Sequence, residues 1–189
     1  MRLTRAAAAT SLALALFAGG AQAQTALTLG TGAGLTIPVG DLGDVTGLGW
    51  NAQANVGLTN PAWPVALRLD FMYHNLQGEE LVDDTDIELP DVTVLAGIAN
   101  AELYVARAAN GGGLFLVGGA GIYNFDTDEV GGVESESSTD FGILGGAGYK
   151  LAMTNLMLSI EGKFHHVFAD ESAQFIPVNI VVEIPIGGR

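Results

Sequence analysis

From residue 26 onward, apolar and polar residues change places at almost every step, as expected of extended segments whose two faces meet different surroundings. In the first segment Leu27, Leu29, Thr31, Ala33, Leu35 and Ile37 share one side, and Ala26, Thr28, Gly30, Gly32, Gly34 and Thr36 the other. The second separates Leu48, Trp50, Ala52, Ala54, Val56 and Leu58 from Gly49, Asn51, Gln53, Asn55 and Gly57. In the third, Val65, Leu67, Leu69, Phe71 and Tyr73 alternate with Ala66, Arg68, Asp70, Met72 and His74. The fourth, residues 92–105, sets Leu95, Gly97, Ala99, Ala101, Leu103 and Val105 against Asn100 and Glu102. The fifth, residues 114–125, is apolar or glycine on both sides, so its facing stays open. The sixth, residues 139–151, opposes Phe141, Ile143, Ala147, Tyr149 and Leu151 to Asp140, Gly142, Gly146, Gly148 and Lys150. The seventh sets Leu156, Leu158, Ile160 and Phe164 against Ser159, Glu161, Lys163 and His165. The eighth sets Ile176, Val178, Ile180, Val182, Ile184 and Ile186 against Asn179 and Glu183.

The connections alternate as well. They take ten residues at 38–47, six at 59–64, 16 at 75–90, eight at 106–113 and 13 at 126–138, then a short turn at 153–155 and a short loop at 169–173. Apart from the last, long and short ends segregate, which an up-and-down barrel produces by gathering alternate connections on opposite rims. The fold expected is all-β: an eight-stranded antiparallel up-and-down transmembrane β-barrel.

Alternation by itself does not distinguish this from a soluble barrel with its apolar face inward, the structural alternative. Charge placement does. If the polar rows of the first two segments faced water, that exterior would be glycine, threonine, asparagine and glutamine without one charge, a weakly solvated surface. Turned the other way, a row of Leu, Ile, Val, Ala and Trp suits hydrocarbon, and closure satisfies every backbone donor and acceptor without water. Aromatic residues fit the same orientation, since interfacial rings favour the two levels where hydrocarbon meets head groups. Trp50, Tyr73, Phe141, Phe164 and Phe168 fall toward the long connections, and Tyr149 and Trp63 toward the short turns.

The first 23 residues are of another kind. Arg2 and Arg5 precede an apolar stretch at 6–18, and Ala21-Gln22-Ala23 has the small-x-small pattern of a signal-peptidase site, so 1–23 is expected to be a signal peptide and 24–189 the barrel. That apolar stretch is too short to span about 30 Å of hydrocarbon as a helix. A retained signal anchor is the alternative.

Composition narrows the partners. Charged residues are 15% of the chain, against about 25% in an ordinary soluble domain. Acids outnumber bases by 21 to 7, which excludes a nucleic-acid partner because almost no cation is available to displace counterions from phosphates. The absence of cysteine excludes disulfides, thiolate metal sites and thiol catalysis.

Several stretches carry a resemblance: 34–41 (GLTIPVGD), 94–100 (VLAGIAN), 114–123 (LFLVGGAGIY), 140–148 (DFGILGGAG), 161–166 (EGKFHH) and 175–178 (FIPV). Over nearly all of residues 24–189 the chain resembles the bacterial outer-membrane β-barrel domain family of small OmpA/OmpX-like proteins. The resemblance implies residence in the outer membrane, contact with its lipid, insertion by the barrel-assembly machinery, no cofactor, a monomer, and a structural or surface-interaction role. The chain departs from the family at 184–189 (IPIGGR), where members usually finish on an aromatic residue used in insertion.

Candidate chemistry follows from the orientation. Arg68, Lys150 and Lys163 would point into the lumen with Asp70, Glu102, Asp140, Glu161 and Glu183. Charges removed from water must be paired or hydrated, so these form an expected salt-bridge and water network rather than a catalytic carboxylate pair. Eight strands enclose little more than side chains, so no wide diffusion pore is expected, although inward glycines leave room for a narrow water path. The glycine runs at 30–34 and 145–148 open no helix and so are not phosphate loops. His165 and His166 are adjacent and point to opposite sides of a strand, which argues against a shared metal. His166, Glu171 and Ser172 stand near one rim and are the candidates for a competing role, a lipid-modifying barrel enzyme; a narrow small-solute or ion channel is the other.

The connections assigned to the outer rim carry Asp41, Asp44, Glu79, Glu80, Asp83, Asp84, Asp86, Glu88, Asp126, Asp128, Glu129, Glu134, Glu136, Asp170 and Glu171, and no basic residue. A solvated, self-repelling surface accounts for them; weak capture of divalent cations is the sharper expectation. Asp126-x-Asp128-x-Val130-Gly131 partly imitates a calcium loop, with Val130 in place of an oxygen ligand and Glu136 one place short of the expected acid.

Overall fold

The computed structural model describes residues 25–60, 63–78, 80–81, 87–88, 90–108, 112–127, 137–169 and 172–186. The expected signal peptide and most of the acids of the outer connections lie outside these residues. The alternating segments become β1 (Ala26–Val39), β2 (Gly49–Thr59), β3 (Val65–Leu76), β4 (Val92–Arg107), β5 (Gly113–Thr127), β6 (Ser137–Ala152), β7 (Met157–Val167) and β8 (Ala173–Ile186). Each pairs antiparallel with its sequence neighbours, and β8 returns to β1, with Leu27 opposite Ile186 and Val39 opposite Gln174. The sheet therefore closes without an edge, and this is an eight-stranded up-and-down barrel.

Tight connections lie at one end: Trp63 N donates to Asn60 O at 3.0 Å, Ala108 N to Gly112 O at 2.8 Å and Met153 N to Leu156 O at 2.8 Å. At the other end the chain leaves β1 through a 3-10 turn, Gly40–Asp44, entered by Gly40 at φ 61°, where a side chain would be strained. Thr46 bridges to Gly78, and Gly47 N donates to Gln77 O at 2.7 Å, so the first two long connections are tied together. The second also holds a two-residue ladder of Glu80–Leu81 with Ile87–Glu88.

The faces are inverted relative to a water-soluble protein. Phe71 is 60% exposed on the outer wall, with Leu35, Leu69, Leu95 and Ile180 also exposed, while Arg68 is 3% exposed and Lys163 0%. The one outward hydroxyl within the belt of β1, on Thr31, is satisfied by Gln53 O at 3.1 Å. The open question of β5 is settled: Phe115, Val117 and Tyr123 are buried in the lumen, and Leu114, Leu116 and Ile122 face out.

Candidate functional site

The lumen gathers the chain's buried chemistry in two layers. Toward the short turns lies an ionic layer. Arg68 and Asp70 are two residues apart on β3 and so share its inner face. Arg68 Nε meets Asp70 Oδ1 at 2.7 Å, and its Nη2 meets Asp70 Oδ2 at 2.9 Å. The same guanidinium donates to both oxygens of Glu161 on β7, at 2.9 and 3.0 Å, and pairs with Glu102 Oε1 on β4 at 2.6 Å. Lys163, next on the inner face of β7, closes a ring by meeting Asp70 Oδ2 at 3.0 Å and Glu161 Oε1 at 2.8 Å. Glu102 continues the chain to Lys150 at 2.7 Å, and Lys150 to Glu183 at 2.9 Å.

Neutral amides complete this layer. Gln53 donates to Glu161 Oε1 at 3.1 Å and accepts from Asn179 at 3.0 Å. The four carboxylates face three cations, all almost fully buried. Such a network adds little net stability over an apolar filling, but stripping a partner from it costs about 3–5 kcal/mol, because a charge is left without compensation.

Toward the long connections lies an aromatic and imidazole layer. His74 Nδ1 shares a hydrogen bond of 2.8 Å with the Thr36 hydroxyl, which also accepts from Asn51 Nδ2 at 3.0 Å. His165 Nδ1 shares one of 2.9 Å with the Tyr123 hydroxyl. Phe175 packs against both histidines, stacked on His165 at 4.8 Å and edge-on to His74 at 5.0 Å between ring centroids. Inward glycines make room for rings in both layers: a Cβ at Gly142 would lie 2.7 Å from Tyr123 Cε2, and one at Gly148, at the level of Lys150, would run into the Phe115 ring. Those two hollows are occupied by rings from β5, while at the short-turn end a cavity of about 310 Å³ reaches Arg68, Glu102, Lys150 and Glu183.

All but one of the residues expected in the lumen network meet there. Asp140 does not. It is half-buried at the long-connection rim, where it accepts from Ser138 Oγ at 2.7 Å and borders a cavity of about 340 Å³ shared with Asp41, Phe125 and Ser172. It lies ten residues from Lys150 along β6, about 33 Å, with Tyr123 paired beside it, so phase alone was a poor guide to its level. His166 faces outward against the Phe168 ring at 4.7 Å, whereas Ser172 borders the rim cavity, and Glu171 lies outside the described residues. His166 is not among the described residues that line that cavity. Most of the calcium-like loop after Asp126 is also outside the described residues, and among those described no three His, Cys, Asp or Glu side chains gather as a metal site.

Tyr123, Phe175, Thr36 and the two inward histidines carry no role that was expected from the sequence. Phe175 had a usable signal, since it is in phase with Asn179 and Glu183. Tyr123 had none, because β5 is apolar on both faces.

A closed eight-stranded barrel with an apolar outer wall and a filled, charged interior defines the small outer-membrane β-barrel fold. Among solved structures the chain is similar to the neisserial surface protein NspA, with 14% identity over 84% of this chain and 96% of that one and a TM-score of 0.57. It is also similar to the Yersinia pestis outer membrane protein Ail in a phospholipid bilayer nanodisc, with 14% identity, 85% and 99% coverage and a TM-score of 0.53. At that identity the likeness concerns the fold. No protein-family model and no curated protein matches the sequence.

Proposed function

We propose that this protein is an integral barrel of the bacterial outer membrane with a structural or surface-interaction role and no enzymatic one. The observation that carries the reading is the inversion of its faces, with lysine, arginine and carboxylates sealed inside and leucine, isoleucine and phenylalanine outside. On β2 the outward apolar run from Trp50 to Leu58, at about 3.4 Å per residue and a tilt of about 40°, covers about 21 Å of height, close to the ~25 Å band of such barrels. The Trp50 and Tyr73 rings, 5.2 Å apart, and the stacked Phe141 and Phe168 rings lie toward the long connections, where a head-group level would fall. The surface role is supported by the strongly acidic outer connections and by fold neighbours that include a surface protein.

Membrane fractionation combined with a heat-modifiability gel tests this reading. The processed chain is expected with the outer membrane, migrating differently before and after boiling. Recovery as a dissolved periplasmic monomer that needs no detergent contradicts it. The filled lumen also argues against the channel alternative: in planar bilayers the protein is expected to give no large, steady conductance step.

A further inference from the structure

Large apolar side chains cover most of the outer wall, among them Leu35, Leu69, Phe71 and Ile180. Across β4, β5 and β6 the register brings small ones together: Ala99 lies beside Ala120, Ala101 beside Gly118, and Gly118 beside Gly145. At the long-connection end this low ground deepens into a trough of about 630 Å³, bordered by Phe71 and Tyr73 of β3, Leu95 of β4 and Ile122 of β5. Gly97 lies within it, and a Cβ added there would meet nothing within 4 Å.

The trough ends in polar groups. Tyr73, Leu95, Asn124 and Thr139 are successive neighbours across four strands. Asn124 Nδ2 donates to Ser138 O at 2.9 Å, Thr139 Oγ1 at 3.0 Å and Ser137 Oγ at 3.3 Å, so an amide and hydroxyl cap stands where the apolar wall stops.

We propose that this trough binds one extended acyl chain of an outer-leaflet lipid, running along β4 over Gly97 and Ala99, with the lipid's polar head at the Asn124 cap. The assignment rests on the outer-membrane reading above. The trough is continuous with the apolar belt, so hydrocarbon is its natural occupant, and its polar end lies where a head group would follow the chain. A second barrel fits less well, because its own apolar wall would be laid over that amide and hydroxyl cap without partners for it.

Native mass spectrometry of the protein extracted in mild detergent tests the assignment. The wild type is expected to keep one lipid through purification. The paired substitution Gly97→Leu and Ala99→Leu fills the trough and is expected to lower retention about tenfold, as loss of burial for about two methylene groups implies. Val178→Leu, outward on β8 and away from the trough, is expected to leave retention unchanged. Should the paired variant lose its heat-modifiable barrel, Gly97→Val alone is expected to lower retention about threefold. The assignment is overturned if the folded wild type carries no lipid, if filling the trough leaves retention unchanged, or if the wild type is a dimer that filling dissociates. A chain dissolved without detergent overturns the membrane reading itself, and this assignment with it.

Discussion

The two layers of the lumen solve the same problem by opposite means. Both fill an interior that eight strands leave just wide enough for side chains. The ionic layer does so with groups that each depend on several others: Arg68 alone compensates carboxylates on β3, β4 and β7. The aromatic layer does so with volume, and its hydrogen bonds at His74 and His165 are local and neutral. The difference teaches that burial alone does not rank the lumen residues. Arg68 and Phe175 are both almost completely enclosed, yet one is held by complementary charge and the other by packing.

Substitutions can break or sharpen this distinction, with stability read from urea unfolding in detergent or lipid vesicles. Arg68→Met is expected to have the largest effect, about 3–5 kcal/mol of destabilisation, because three carboxylates lose their shared cation. Phe175→Ala is expected to cost about 3 kcal/mol through the void left beside the two histidines. If it proves more damaging than Arg68→Met, the ionic layer is not the more interdependent of the two. Tyr123→Phe keeps the ring over Gly142 and removes only the hydroxyl at His165, so a loss of about 1 kcal/mol is expected. Leu69→Ala, outward on the same strand as Arg68, is expected to have the smallest effect, under about 1 kcal/mol, since hydrocarbon can follow the shortened side chain.

The strand phases were legible because the barrel puts different chemistry on its two faces. Arg68 and Asp70 against Leu67 and Leu69 could be read only one way once the apolar face was turned outward. Legibility failed where that contrast failed. β5 carries Phe115, Val117 and Tyr123 inward and Leu114, Leu116 and Ile122 outward, so both rows look alike. The outward row of β8 was read from Ile176, after a loop running to Ala173, whereas the strand already begins at Ala173. Pro177 cannot donate to the ladder, and pairing to β7 lapses between Phe175 and Val178. Asp140 shows a third limit: alternation gives the side of the sheet but not the level along the barrel. The expected ionic contacts needed both, together with which strands close across the interior.

Residence in the membrane requires the outer wall to meet hydrocarbon. Its most direct test is the collisional accessibility of spin labels placed singly at Ala52, Ala54, Val56 and Leu58 of β2, in protein reconstituted in lipid vesicles. The chain has no cysteine of its own, so each introduced thiol reports one site. Dissolved oxygen is expected to relax all four labels more strongly than a water-soluble nickel complex does, with the contrast greatest toward the middle of the belt. Dominant relaxation by the nickel complex at Ala54 and Val56 would place that wall in water and contradict the account.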